Sequence, residues 1–334
     1  MFTRCQFPGH VSDPYTERIP LHGLGLMDRV SLTVSMSVGT LTIEPTLDDE
    51  IEVTYAYSSS NKAVYETMSW NKVWDDENLT YSLSSTGPEP RSARSDEGTV
   101  ESTSTPSRLD TLRHYLFKAG HALLGRPLAE TLYTSQGVSP WWCPEFTVTI
   151  KMPTEARKVD LTVLSSDTDV MFDCSVPTSV ESFTLTTSGG RVSMSSLSAS
   201  TLTVTDTDSR YYIEDLSVSS AADMTFTDST CTLHGFGGRT LMTHAEGGDM
   251  TIDLGVDDYC GEFSLLCVPT DEEPHRCSNA RMSVYSLVAP QLVTTTEESA
   301  TKVQGYVGRD TCKGNNSICV YSSGVVFMNV YETA

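Results

Sequence analysis

Long apolar runs are missing from this sequence. No stretch approaches the ~18 residues that a helix needs to cross a bilayer, so a helical membrane span is not expected. The first twenty residues, MFTRCQFPGHVSDPYTERIP, also lack the apolar centre of a secretory leader, so the chain is expected to be intracellular unless a leader has been removed. Basic residues are scarce: 22 Lys and Arg stand against 44 Asp and Glu, a formal net charge of −22. That balance excludes nucleic acid and an anionic membrane surface as natural partners and suits a basic protein partner or high solubility. The glycine-rich phosphate loop, the zinc-protease helix motif and the nucleophile elbow are absent too. No cofactor is therefore expected, and the chain is not expected to be an enzyme.

What is present is a spaced echo. Val163, Leu185, Val204, Phe226, Thr243 and Leu265 each close a short alternating segment, at intervals of 22, 19, 22, 17 and 22 residues. In SFTLTTSGGRVSMSSL the apolar residues Phe183, Leu185, Val192 and Met194 alternate with Ser and Thr, so each segment has one face fit for burial and one for water. One such unit cannot bury its apolar face alone, whereas stacked units cover one another and pair their backbones. The pattern predicts an all-β, single-domain β-solenoid, parallel β-helix-like, with rungs of about 20 residues. An antiparallel sandwich is the alternative, since it also shows short strands with turn signals between them. Gly189, Gly190, Gly247 and Gly248, with Asp167, Asp169, Asp206 and Asp208, suit corners that need positive φ or side-chain capping.

Four stretches follow along the chain. Residues 1–27 read as an irregular N-terminal segment, and 28–58 as the first strands of the solenoid, carried by the alternation of Val30, Leu32, Val34, Met36 and Val38. Residues 59–145 read as an insertion. Its 85–107 part has almost no apolar residue and is expected to be disordered, while Leu109, Leu112, Leu116, Ala119 and Leu123 predict a helix over about 108–124. That helix suits a cap on the solenoid or a partner-binding element. Trp141 and Trp142 follow it, as a packing plug or a ligand platform. Residues 146–331 form the main solenoid.

The runs SVGTLTIEPTLDDEIEVTYAY, TLTTSGGRVSMSSL, STLTVTDTDSRYYIEDL and VQGYVGRDTCKGNNSICVYSSGVVFMNV together resemble the putative adhesin family of β-solenoid domains of unknown function. The corners Thr187-Ser188-Gly189 and Ser322-Ser323-Gly324 carry the resemblance, with Gly305-Tyr306-Val307-Gly308 before a final strand pair from Ile318 to Val330. Several corners hold Asp where that family's pattern has Gly. The resemblance implies a β-solenoid and, by the family's label, adhesion. It supplies no catalytic residue.

Chemistry-bearing clusters are few. Cys260, Cys267, His275 and Cys277 are weak candidates for a zinc site, because their spacing matches no usual finger or ribbon. The nine cysteines are odd in number, so not all can pair within one chain. Cys312 and Cys319 bracket a polar loop and are the best disulfide candidates, while Cys174 and Cys231 sit at apolar strand positions and are expected in the core. His234 and His244 occupy similar places in successive units, which predicts a stacked pair or a surface ladder. Arg210, Tyr211 and Tyr212 are candidate binding residues, since adjacent large side chains on a strand must send at least one outward. The reading is a noncatalytic structural or protein-interaction module, its partner a protein or a glycan. The rival is a carbohydrate-active β-helical enzyme using the corner carboxylates, Asp206 and Asp208 foremost.

Overall fold

The computed structural model describes residues 9–25, 28–87, 144–172, 176–267, 275, 277–278, 280–288, 292–308 and 316–332. The chain divides into two compact units, residues 1–90 with 142–334 and residues 91–141. The second unit, and with it the expected helix over 108–124, Trp141 and most of the expected disorder, lies outside the described residues, as does Trp142.

The fold is all-β with one large sheet. Before residue 88 come β1 (His10–Val11), β2 (Tyr15–Pro20), β3 (Val30–Thr46), β4 (Glu50–Ser59), the one-turn helix α1 (Lys62–Tyr65), β5 (Ser69–Asp75) and β6 (Thr80–Thr86). The middle of the chain supplies β7 (Pro144–Pro153), β8 (Glu155–Phe172), β9 (Thr178–Ser195), β10 (Leu197–Thr207), β11 (Arg210–Thr227) and β12 (Thr230–Glu246). Seven shorter strands follow: β13 (Asp249–Gly255), β14 (Gly261–Leu266), β15 (Arg281–Ser286), β16 (Val293–Ser299), β17 (Lys302–Val307), β18 (Ser317–Ser322) and β19 (Val325–Tyr331). The composition explains the bias, because β-branched Thr and Val suit a pleated, half-buried surface.

The long strands bend, and each contributes to more than one run of parallel pairing. In the first run Leu83, Val34, Val163, Leu185, Val204, Met224, Thr243, Val320 and Leu265 are successive register partners, all pointing inward and buried. In the second, Ile150, Ile43, Phe172, Met194, Ile213, Leu233, Ile252, Met328 and Val284 are aligned in the same way. A short third run aligns Ala156, Val180, Ala199, Val218 and Gly238. Alternation explains the shared core: in β10, Leu202, Val204 and Asp206 face in while Thr201, Thr203, Thr205 and Thr207 face water.

Two details of the expected register change. Val204 pairs with Met224, not with Phe226, because Phe226 stands beside Asp206; the spacing between aligned residues 163, 185, 204, 224 and 243 becomes 22, 19, 20 and 19. Leu265 does not follow Thr243 directly. The C-terminal strands β18 and β19 lie between β12–β13 and β14–β15, so Val320 separates the two residues.

Antiparallel pairs flank the parallel runs. At one side β2 pairs with β4 and β4 with β7, and β5 pairs with β6; at the other, β17 pairs with β14 and β16 with β17. Residues 1–27 are therefore not uniformly irregular: Ile19 of β2 is fully buried opposite Ile51. Likewise β6 pairs in parallel with β3, so residues 80–86 are part of the sheet. Aromatic residues gather beside these first strands. Tyr15 stacks on Tyr55, whose ring meets the edge of Trp70, which in turn meets Phe146. Lys72 of β5 reaches Glu17 of β2 at 2.6 Å, and this ion pair raises the lysine's pKa. Edge strands left bare invite pairing with other chains, and charge and bulk at these positions counter it.

Corners use left-handed backbone in register. Asp167 (φ 49°), Asp208 (φ 59°) and Asp228 (φ 52°) share the same bend with Gly189 and Gly247. Gly189 lies beside Asp167, where an added Cβ would come within 2.6 Å of the Asp167 carboxyl. Two expected corner residues are placed otherwise: Asp169 is exposed on β8, and Asp206 is buried.

Candidate binding face

Tyr211 and Tyr212 part company on β11. Tyr211 is buried and Tyr212 is 44% exposed, so only Tyr212 and the exposed Arg210 remain available as candidate binding residues. Period-two geometry makes the choice, since Tyr211 and Ile213 share the inward face.

Tyr212 opens a strip across the outward side of the second run. Glu214, His234, Asp253, Asn329 and Tyr285 are successive register partners on β11, β12, β13, β19 and β15. A parallel row, one pleat away, holds Tyr212, Thr232, Thr251 and Phe327. The Tyr212 and His234 rings lie 5.2 Å apart, and those of Tyr285 and Phe327 6.1 Å apart. Between them His234 Nδ1 contacts Asp253 Oδ2 at 2.6 Å, and Asn329 Nδ2 donates to Asp253 Oδ1 at 2.6 Å. Asp253 thus has both oxygens engaged and fixes the imidazole. Partial burial, then the charges of Glu214, Asp215 and Asp253, raise the Tyr212 phenol. The strip is aromatic at both ends and polar in the middle, a composition that favours contact surfaces.

Asp253, Asn329, Tyr285 and Phe327 were not singled out from the sequence. Asp253 joins the strip on β13, beside β12, and the other three join it because β19 stands between β13 and β15, an arrangement that local alternation does not encode. Of the two readings of His234 and His244, the stacked pair does not occur. Both belong to β12 but to different runs, and His244 stacks instead on Tyr321, centroids 5.0 Å apart and planes 9° from parallel.

The corner carboxylates are not gathered in an accessible cleft. Asp206 is 1% exposed, and its two carboxyl oxygens accept hydrogen bonds from the hydroxyls of Thr187 and Ser229. The Tyr211 hydroxyl bonds to Thr187, and burial followed by the Asp206 charge pushes the Tyr211 pKa up. Cys231, buried beside them, is pushed up to about 12 by desolvation and by Asp206. Asp208, by contrast, is an exposed corner residue. A glycoside oxygen cannot reach Asp206 without opening this network.

Cysteine chemistry also differs from expectation. Cys267 and Cys277 form a disulfide with Cα atoms 5.8 Å apart, and Cys260 is disulfide-bonded as well. Oxidised sulfurs are not thiolate ligands, so the set Cys260, Cys267, His275 and Cys277 does not form a zinc site. No group of three or more His, Cys, Asp or Glu among the described residues is placed to hold a metal ion. Cys319 is a free thiol, not the partner of Cys312, which lies outside the described residues with Cys174. The register explains it: Cys319 sits mid-strand on β18, flanked by Met242 and Ser264. Cys231 is in the core as expected. Among the described residues no helix is long and apolar enough to cross a membrane.

No family model matches the sequence, and no curated protein matches it. Among solved structures the chain is similar to a putative cell adhesion protein from Clostridium sporogenes, at 10% identity over 96% of this chain and 100% of that one, TM-score 0.31. A putative adhesin from Bacteroides fragilis shares 9% identity over 95% of this chain and 97% of that one, TM-score 0.34. A putative lipid binding protein from Parabacteroides distasonis shares 10% identity over 94% and 96% respectively, TM-score 0.33. Similarity of this degree decides nothing about the role of the present chain.

Proposed function

We propose that this chain is a noncatalytic protein-interaction module built as a β-solenoid, and that the strip from Tyr212 to Tyr285 is its contact face. The solenoid reading is supported by three runs of parallel, in-register pairing at spacings near 20 residues. The contact reading rests on one observation: side chains from five strands align outward in a single row, with exposed Tyr212, Tyr285 and Phe327 around a fixed His234–Asp253–Asn329 chain. Aromatic anchors give contact area at low entropy cost, and the ordered polar centre gives direction. The net charge of −22 favours a basic partner. Enclosure of Asp206 weighs against the rival carbohydrate-active reading. The Cys267–Cys277 disulfide favours an oxidising compartment over the intracellular one expected from the N-terminal residues.

The test is affinity capture by the intact chain, repeated with Tyr212→Ala and Tyr285→Ala combined. The account expects one set of partners lost from the double variant while its circular dichroism is unchanged. Retention of every partner would remove the strip from the interaction, and hydrolysis of any glycan in a substrate panel would overturn the noncatalytic reading. A count of thiols before and after reduction addresses the compartment.

A further inference from the structure

Outward side chains of the first run change character along the stack. From β8 to β11 they are mainly hydroxyls, including Thr162, Thr184 and Thr203 in one row and Thr186, Thr205 and Thr225 in the next. Where β12 meets β18 they become Met242 beside Cys319 and His244 beside Tyr321. Thr243 between Met242 and His244 is fully buried, so those two point outward together; Met242 is 38% exposed and His244 is exposed. Cys319 is half-buried and carries a free thiol. A cleft of about 260 Å³ borders His244 and Tyr321, lined also by Glu246 and the disulfide-bonded Cys267.

We propose that Met242, Cys319 and His244 form a binding site for a soft monovalent cation, Cu(I) being the natural occupant. Adjacent strands lie about 4.8 Å apart and outward residues on one strand about 6.7 Å apart, which sets the thioether next to the thiol and the imidazole one diagonal step away. Thioether and thiolate sulfur select Cu(I) over Mg²⁺ or Ca²⁺, and imidazole completes a three-coordinate set. Met242 has three rotatable bonds and can turn its sulfur to the ion without backbone movement. The Tyr321 ring, stacked on His244 and hydrogen-bonded to Cys319, holds both ligands on one side of the sheet. Binding forms a Cu–S bond, and the thiol proton leaves to solvent. This site shares no residue with the strip of Tyr212, and its success or failure leaves the proposed contact face untouched.

The experiment titrates the intact chain with Cu(I) in competition with a bicinchoninate chelator, following the ultraviolet charge-transfer band of a copper–sulfur bond. Wild-type protein is expected to take one Cu(I) per chain, Cys319→Ser to lose it, and Met242→Leu and His244→Ala to weaken it by about tenfold or more. Cys231→Ser, which removes the other free thiol among the described residues, is expected to leave it unchanged, and Cu(I) is expected to protect Cys319 from alkylation. Equal binding by wild type and Cys319→Ser, or loss of binding in Cys231→Ser alone, would overturn the proposal. Circular dichroism of each variant separates loss of a ligand from loss of the fold.

Discussion

Thr187→Val isolates what the buried Asp206 network contributes. The substitution is nearly isosteric, so it leaves no cavity of consequence, and it removes the hydroxyl that donates to one Asp206 oxygen and bonds to Tyr211. A hydrogen bond to a carboxylate is worth about 1.5–3 kcal/mol, and a buried acceptor left open cannot recover that from water. Tyr211→Phe removes a hydroxyl that bonds to Thr187 and interacts with Asp206, and should cost about 1 kcal/mol or somewhat more. Ser229→Ala takes the donor from the second Asp206 oxygen and also removes the acceptor for the Ser209 N–H, 3.2 Å away, so it should cost at least as much as Thr187→Val. A loss near 2 kcal/mol multiplies the unfolded fraction roughly thirtyfold. Urea denaturation followed by far-ultraviolet circular dichroism measures it, with Thr203→Val as the control: Thr203 is exposed on the next strand and its change should stay within about 0.5 kcal/mol. If Thr187→Val and Thr203→Val lower stability equally, Asp206 is not held by this network, and the reason given for its inaccessibility fails.

Three other outcomes follow from particular residues. Replacing Cys267 and Cys277 by Ser opens a loop of 10 residues' separation and should cost about 2–3 kcal/mol in nonreducing buffer, with no further loss on adding reductant that is attributable to this pair. Gly248→Ala, at φ +78° with the added Cβ colliding with the Ser229 carbonyl, should destabilise by more than the ~1 kcal/mol of a positive-φ alanine; thermal denaturation would show it, and a neutral result would contradict the corner geometry. Stability should fall as pH climbs from about 9 towards 12. Cys231 titrates near 9.0 when unfolded and near 12 when folded, so the unfolded chain releases its proton first and gains from alkali; the raised Tyr211 and Tyr259 act in the same direction. A flat profile across that window would contradict their burial.

Much of the fold was legible because burial imposes a period. Leu185, Val192, Val204 and Ile213 alternate with Ser, Thr or Tyr so regularly that inward and outward faces can be assigned by counting. Counting fails where a polar residue takes an inward position. Asp206 does so, and the segment around Phe226 consequently aligns two residues away from the place that apolar matching gives it. Counting also says nothing of long-range order: nothing local to SICVYSSGVVFMNV states that it packs between β12–β13 and β14–β15, since that depends on which of several compatible edges it meets. The candidate face was half visible for the same reason. Tyr212 and Arg210 could be found on their own strand, whereas Asn329, Phe327 and Tyr285 become neighbours only through that placement. The pairing of Cys267 with Cys277 and the free thiol of Cys319 were not legible because spacing in sequence does not report whether two Cα atoms come within bonding distance.

The central claim is parallel stacking in register, and disulfide trapping tests it most directly. Thr205 and Thr225 are outward register partners on β10 and β11, so Thr205→Cys with Thr225→Cys should cross-link readily under mild oxidation, the Cα separation of neighbouring strands falling within the usual disulfide range. In an antiparallel hairpin Thr205 would instead lie near Tyr212. Cross-linking of Thr205→Cys with Thr225→Cys but not with Tyr212→Cys is the predicted result; the reverse would contradict the stacked architecture and, with it, the contact face built upon it.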